Sequence, residues 1–260
     1  GLHFRRRPAE SASLLHRMQA DHYMDGGEHQ GLDLSTEAGC RRLRAQYMAN
    51  VTLVDRGLGD ILSALAESGQ ADNTIIVYTS EHGDMMGDHG IFEKSVLYEE
   101  SARVPLLMRV PWLSKEQQFI RGAIGQIDLV PTLLDLMEEP IPDDLEGESK
   151  ADLLLGGINL AGNDVFIEWN GDDARPIRLY GNGVPAEEWD RVKGPWRTIV
   201  HDGRWKLNLS ATDQCELYDL AEDPMELVNL FDDPAQAGRV RDLTARIQAW
   251  QERTGDQTVV

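Results

Sequence analysis

Thr74-Ile75-Ile76-Val77-Tyr78-Thr79-Ser80-Glu81-His82-Gly83-Asp84-Met85-Met86-Gly87-Asp88-His89-Gly90 is the stretch that decides the fold. Its first six residues are apolar on both alternations and rich in β-branched side chains, the pattern of a strand covered on both faces in a parallel sheet. The rest is polar and punctuated by glycine, which predicts a loop at the carboxyl end of that strand. Functional groups of open α/β sheets gather there, so Glu81 and His82 are candidates by position. A carboxylate beside an imidazole, with Asp84 and His89 close behind, offers oxygen and nitrogen donors suited to a divalent cation. Gly83, Gly87 and Gly90 let the backbone turn tightly around such an ion. Spacing alone leaves a second reading open, an acidic surface loop without an ion.

Upstream, Leu43, Tyr47, Val51, Val54, Leu58, Ile61, Leu62 and Leu65 recur at three- and four-residue spacing. This predicts one long helix from Thr36 to Ser68 with a buried stripe, capped by Ser35 or Asp33 and closed by Gly69. Downstream, Pro105 to Val110 reads as a second buried strand, and Asp128 to Met137 as a helix with Pro131 in its first turn. Residues 138–163 are acidic and rich in turn formers. Beyond them Val165 to Trp169, Arg197 to His201, Arg204 to Leu209 and Glu216 to Leu220 are short strand candidates. Asp202-Gly203 is a type I′ hairpin signal, and Val240, Leu243, Ile247 and Trp250 mark a last amphipathic helix. The expected organisation is an irregular opening segment (1–34), an α/β portion (35–140), a linker (141–163) and a small antiparallel α+β subdomain (164–260).

The 260 residues carry 25 Lys and Arg against 45 Asp and Glu, a formal net charge of −20. That balance argues against nucleic-acid or membrane-surface partners. An anionic substrate therefore needs a local positive centre. No apolar run reaches the ~20 residues of a bilayer span, and the basic opening is unlike a signal peptide. Two cysteines build no disulfide framework, so free thiols in a reducing compartment are expected. This favours the cytoplasm slightly and leaves the localisation open. No feature specifies an oligomeric state. His16, His22, His29 and Asp21 match no metal-site spacing. Arg103 is expected to pair with a carboxylate and anchor its strand, Trp169, Trp196 and Trp205 are expected to pack under the small subdomain, and Asp172, Asp173 and Arg175 are candidates for a cleft mouth.

The decisive stretch, followed by Lys94, Tyr98-Glu99-Glu100-Ser101 and Arg103-Val104-Pro105-Leu106, resembles the carboxyl-terminal signature of type I sulfatases. The wider kin of that family are the alkaline-phosphatase-like hydrolases, including phosphonate monoester hydrolases. The likeness extends upstream to Tyr47-Met48-Ala49-Asn50-Val51-Thr52-Leu53-Val54-Asp55. Downstream it takes in Asp202-Gly203-Arg204-Trp205-Lys206-Leu207, Glu216-Leu217-Tyr218-Asp219-Leu220, Asp223-Pro224-Met225-Glu226 and Asn229-Leu230. The resemblance implies an α/β fold: the carboxyl-terminal part of an alkaline-phosphatase-like sandwich, with the small antiparallel α+β subdomain appended. It also implies that Glu81 and His82 fill two metal positions, usually Asp followed by Asn or His, around calcium, with manganese as the alternative. Lys94 matches the lysine that binds the anionic oxygens of a small ester substrate. His89 is expected to orient the loop, and Asp84 and Asp88 to belong to its solvated acidic part.

Two departures stand out. Glu81 replaces the family's Asp and carries its carboxylate about 1.5 Å further out. The C-x-P-S-R motif whose Cys or Ser becomes formylglycine is absent, because neither Gly39-Cys40-Arg41 nor Gln214-Cys215-Glu216 has its context. The paired metal aspartates and the leaving-group histidine of the family's amino-terminal part are missing as well. With Gly1 as first residue, the expectation is the carboxyl-terminal portion of a sulfatase that hydrolyses sulfate monoesters. The formylglycine would lie in the missing part, and this chain alone would be inactive. The alternatives are a phosphonate or phosphodiester hydrolase of the same superfamily and, favoured by Glu81, a non-catalytic binding or scaffold domain.

Overall fold

A computed structural model describes residues 7–25, 28–29, 31–113, 116–156, 159–171 and 185–260. The chain divides into two compact units, Gly1–Pro8 with His16–Gln117 and Ala9–Leu15 with Gln118–Val260. Among the described residues no helix is long and apolar enough to cross a membrane. Asp172, Asp173 and Arg175 lie outside the described residues.

Helix α1 (Leu14–Asp25) occupies the opening segment, where no clean periodicity is legible. Ala12, Leu15, His16, Gln19, Ala20 and Tyr23 are buried at helical spacing, and two of those side chains are strongly polar. A stripe that mixes polar with apolar residues has a weak hydrophobic signature, which explains why the sequence conceals it. Two-residue strands β1 (Glu28–His29) and β2 (Leu32–Asp33) pair antiparallel after it. Helix α2 (Glu37–Glu67) matches the expected span, and Gly69 takes φ +74° beyond its end. Its cap is Thr36, whose hydroxyl accepts the Gly39 N–H at 3.1 Å. Asp33 and Ser35, the expected caps, instead bond to one another in the preceding turn.

The buried stripe expected along α2 is corrected. Its helical spacing is real, yet only Cys40 and Arg44 are buried, and Tyr47, Val51, Val54, Ile61 and Leu62 are exposed. Periodicity reports the face that a helix offers, not what covers it. The strand reading needs the same correction. Strand β3 (Ile76–Thr79) pairs antiparallel with β4 (Leu106–Arg109), with Tyr78 opposite Leu107, and both residues are exposed. An apolar run on both alternations specifies a strand but not the direction of its partner. Short helix α3 (Glu99–Ala102) leads into β4.

In the second unit, helix α4 (Leu129–Leu136) places Pro131 in its first turn, where the missing N–H breaks no intrahelical bond. Helix α5 (Ala151–Leu154) leads to β5 (Asp164–Trp169), followed by α6 (Ala186–Lys193), β6 (Trp196–His201), β7 (Trp205–Leu209) and β8 (Glu216–Asp219). The last four strands form one antiparallel sheet in sequential order. Asp202 and Gly203 take φ +56° and +63°, as a type I′ turn requires.

Ile199, Leu207 and Leu217 stand in register on one face of this sheet and pack against Leu243 and Ile247 of helix α7 (Ala237–Thr254). Trp196 and Trp205 are buried, as expected of packing residues. The opposite face is buried too, but polar. Thr198 donates to Asn208 at 2.8 Å, Asn208 donates to Glu216 at 3.0 Å, and Glu216 accepts the Ser13 N–H at 2.8 Å.

Candidate active site

The loop that follows β3 is held by its own backbone. Gly83 donates to the Ser101 carbonyl at 2.8 Å, Met85 to Glu93 at 2.7 Å, and Gly87 to Ile91 at 2.8 Å. Met85, Ile91, Phe92, Val96, Leu97 and Tyr98 anchor it in the interior. From α2, the Arg44 guanidinium donates to the Met86 carbonyl and, at 3.1 Å, to Asp88. Asp88 is therefore a tether for the loop and not part of a solvated acidic surface. The His89 ring is buried and stacks on Tyr98 with centroids 3.8 Å apart and planes 5° from parallel.

Gly83 is required at its position. A Cβ there would meet the Glu100 carbonyl oxygen at 1.9 Å. Gly83→Ala is expected to destabilise this unit by about 1–3 kcal/mol through overpacking. Hydrogen exchange of the amides from residue 84 to 93 should accelerate; unchanged protection there would contradict this assignment.

Glu81 lies at the open end of β3 and is exposed. Its carboxyl is held below the usual range by its own backbone N–H first, then by the Ser80 hydroxyl at 3.2 Å, with His82 and Lys94 adding positive potential. His82 Nδ1 lies 2.7 Å from the Gly83 carbonyl. A carbonyl only accepts, so Nδ1 carries a proton and Nε2 is the ring nitrogen left to meet a cation. Histidine ligands of metals are commonly fixed by such a bond on the other nitrogen. Nε2 faces Glu81 Oε1 at 3.6 Å, a separation that two donors on one cation can span at bond lengths of about 2.0–2.6 Å.

In distance and donor type the pair is compatible with two positions on one cation. Among the described residues no group of three or more His, Cys, Asp or Glu side chains converges on an ion position. Lys94 is exposed, and its charge lowers the carboxyls of both Glu81 and Asp84. The three candidate residues thus share one electrostatic neighbourhood.

Two further residues belong to that neighbourhood. Asp84, read from sequence as solvated, is half-buried, and burial raises its carboxyl pKa against the opposing Met86 N–H bond of 2.9 Å. Tyr47, read as part of an apolar stripe, has its hydroxyl pKa raised first by partial burial and then by the nearby Asp84, Tyr78 and Glu81. The available signal for Asp84 was its position between Gly83 and the buried Met85. For Tyr47 there was none, since its spacing matches the apolar positions around it.

The family model described as Sulfatase matches residues 7–139. The N-acetylglucosamine-6-O-sulfatase of Bacteroides thetaiotaomicron is 31% identical over 210 residues, covering 81% of this chain and 36% of the relative. Arylsulfatase K of Gallus gallus is 34% identical over 193 residues, covering 74% and 34%. The chain belongs to the sulfatase family.

Among solved structures, BT4656 in complex with its substrate D-glucosamine-2-N,6-O-disulfate superposes with a TM-score of 0.67 at 28% identity, covering 81% of this chain and 40% of that one. The phosphonate monoester hydrolase of Agrobacterium radiobacter gives a TM-score of 0.69 at 30% identity, covering 86% and 44%. The fold is therefore the alkaline-phosphatase-like architecture expected from the sequence, with small antiparallel sheets. The chain spans about a third of the length of the curated relatives it matches.

Proposed function

We propose that this chain is the carboxyl-terminal part of a metal-dependent hydrolase of sulfate monoesters. In this reading Glu81 and His82 are two ligands of a divalent cation, and Lys94 binds the anionic ester oxygens. The observation that carries it is the meeting of Glu81 Oε1 with Nε2 of His82 at 3.6 Å, in reach of the Lys94 charge, inside the segment matched by the sulfatase family. A bound dication would supply Lewis-acid neutralisation of developing negative charge.

The chain's own residues do the rest. The Gly83 carbonyl fixes the His82 tautomer, the Ser80 hydroxyl orients Glu81, and the Lys94 ammonium offers donors to a tetrahedral anion. An imidazole in place of an all-oxygen set makes manganese a fitting alternative to calcium. No C-x-P-S-R nucleophile lies in this sequence. Cys40 is buried with its thiol donating to the Leu34 carbonyl, and burial raises the thiol pKa of Cys215, which disfavours its thiolate.

The test uses the natural protein that carries this chain, with 4-nitrophenyl sulfate. Lys94→Ala is expected to lower kcat/KM about a hundredfold, the scale for removing one donor aimed at developing charge. Full activity in that variant would end the assignment. The likeness to a phosphonate monoester hydrolase favours a second reading, phosphonate or phosphodiester cleavage. Both substrates present tetrahedral anions, so side-by-side kcat/KM values for the sulfate and a phenyl phosphonate ester decide between them.

A further inference from the structure

Lys94 sits in an unusual stretch of backbone. Its two neighbours, Glu93 and Ser95, adopt φ +64° and +74°, and neither is glycine. Left-handed backbone at such residues is strained and persists only where surrounding contacts enforce it. On one side the enforcing contact is the Met85 N–H on the Glu93 carbonyl at 2.7 Å. On the other it comes from α1, where the Gln19 side-chain amide donates to the carbonyl of Lys94 itself at 3.0 Å. Gln19 is buried, with 2% of its surface exposed. It also stands on the same helix face as His16, whose ring lies 4.3 Å from that of Tyr98. Tyr98 in turn stacks on His89 of the site loop.

We infer that Gln19 is a positioning residue for Lys94: its amide fixes the peptide from which the lysine springs and so aims the ammonium at the anion site. This rests on the anion-binding reading of Lys94. A long, flexible lysine side chain is directed mainly by its Cα–Cβ vector. Relaxation of Glu93 or Ser95 out of the left-handed region would turn that vector away. Misplacement by about 1 Å can cost a hundredfold in rate, which a buried amide on a neighbouring helix prevents.

The experiment is a double-mutant cycle in the natural protein, read as kcat and KM for 4-nitrophenyl sulfate, with hydrogen exchange measured on the 260-residue chain. Gln19→Glu keeps the shape but replaces the donor by an acceptor facing a carbonyl. Gln19→Met removes the donor without adding charge and serves if the glutamate variant folds poorly. Either is expected to lower kcat/KM about tenfold and to speed exchange of the amides from 93 to 96. In the Lys94→Ala background neither should lower activity further.

A merely structural role predicts losses that multiply in the double variant, and that result would overturn the inference. Full activity in Gln19→Met alongside an impaired Lys94→Ala would overturn it as well, and leave the reading of Lys94 intact. An unimpaired Lys94→Ala would remove the reading of Lys94, and this inference with it.

Discussion

Lys206→Met is expected to lower the stability of the second unit by about 3–5 kcal/mol, the range for breaking a buried ion pair from one side. Lys206 Nζ lies 3.0 Å from Glu226 Oε1, and both side chains are fully buried. Lys206 stands on the polar face of the sheet between Val200 and Tyr218 in the strand register. Glu226 follows the Asp223-Pro224 turn, in which Asp223 accepts the N–H groups of Leu227 and Val228 at 2.7 and 2.8 Å. Removing the ammonium takes from the buried Glu226 carboxylate the countercharge that Lys206 supplies.

The double variant Lys206→Met with Glu226→Leu should recover most of the loss, because an apolar pair of similar volume often equals a buried ion pair. Urea unfolding measures both variants, and an unchanged m-value ties the midpoint shift to stability. A single-variant loss below about 1 kcal/mol, the scale of exposed pairs, would show that water reaches this pair.

Arg197→Ala is expected to cost a similar amount and to release the carboxyl-terminal tail. Arg197 is 2% exposed, and its guanidinium donates to both Asp256 oxygens at 2.7 and 2.9 Å, to Thr258 at 2.6 Å and to Asn170 at 2.9 Å. The Asp256 carboxyl is consequently held far below its ordinary pKa, first by Arg197 and then by Gln251 and Thr258. A carboxylate depressed in the folded state stabilises fully above its unfolded pKa, near 3.9, and loses that contribution as pH falls toward the folded value. The difference in stability between the wild-type chain and Asp256→Asn should therefore be wide at pH 7 and shrink below about pH 4. Thermal melts at pH 7 and pH 3 check it. A gap independent of pH would contradict the ion-pair account, as would an Arg197→Ala tail that still resists carboxypeptidase.

Much of the candidate site was legible because its elements are local. The β-branched run Thr74 to Thr79, the glycines after it and the Glu81-His82 dipeptide specify a strand, a tight loop and two adjacent donors without reference to any distant residue. The same holds for Asp202-Gly203, whose turn type depends on two φ angles, and for α2, whose span follows from spacing and from Gly69. The influence of Asp84 and Glu81 on the Tyr47 hydroxyl was not legible, since it depends on how α2 lies beside the loop. Arg44 fixes that arrangement through Met86 and Asp88, contacts that span more than forty positions of sequence.

Sequence by itself determined which segments are helix, strand and turn in most of this protein, the order of the four-stranded sheet's strands along the chain, and membership of a family with anionic-ester chemistry. Tertiary structure alone decided that β3 runs against β4, that α1 exists beneath a mixed polar face, and that Lys206, Glu226, Arg197, Asn208 and Glu216 are interior residues. The physical reason is range. Backbone conformation and amphipathic spacing are set within a few residues, whereas a charge or an amide can leave water only where a partner from elsewhere in the chain replaces it.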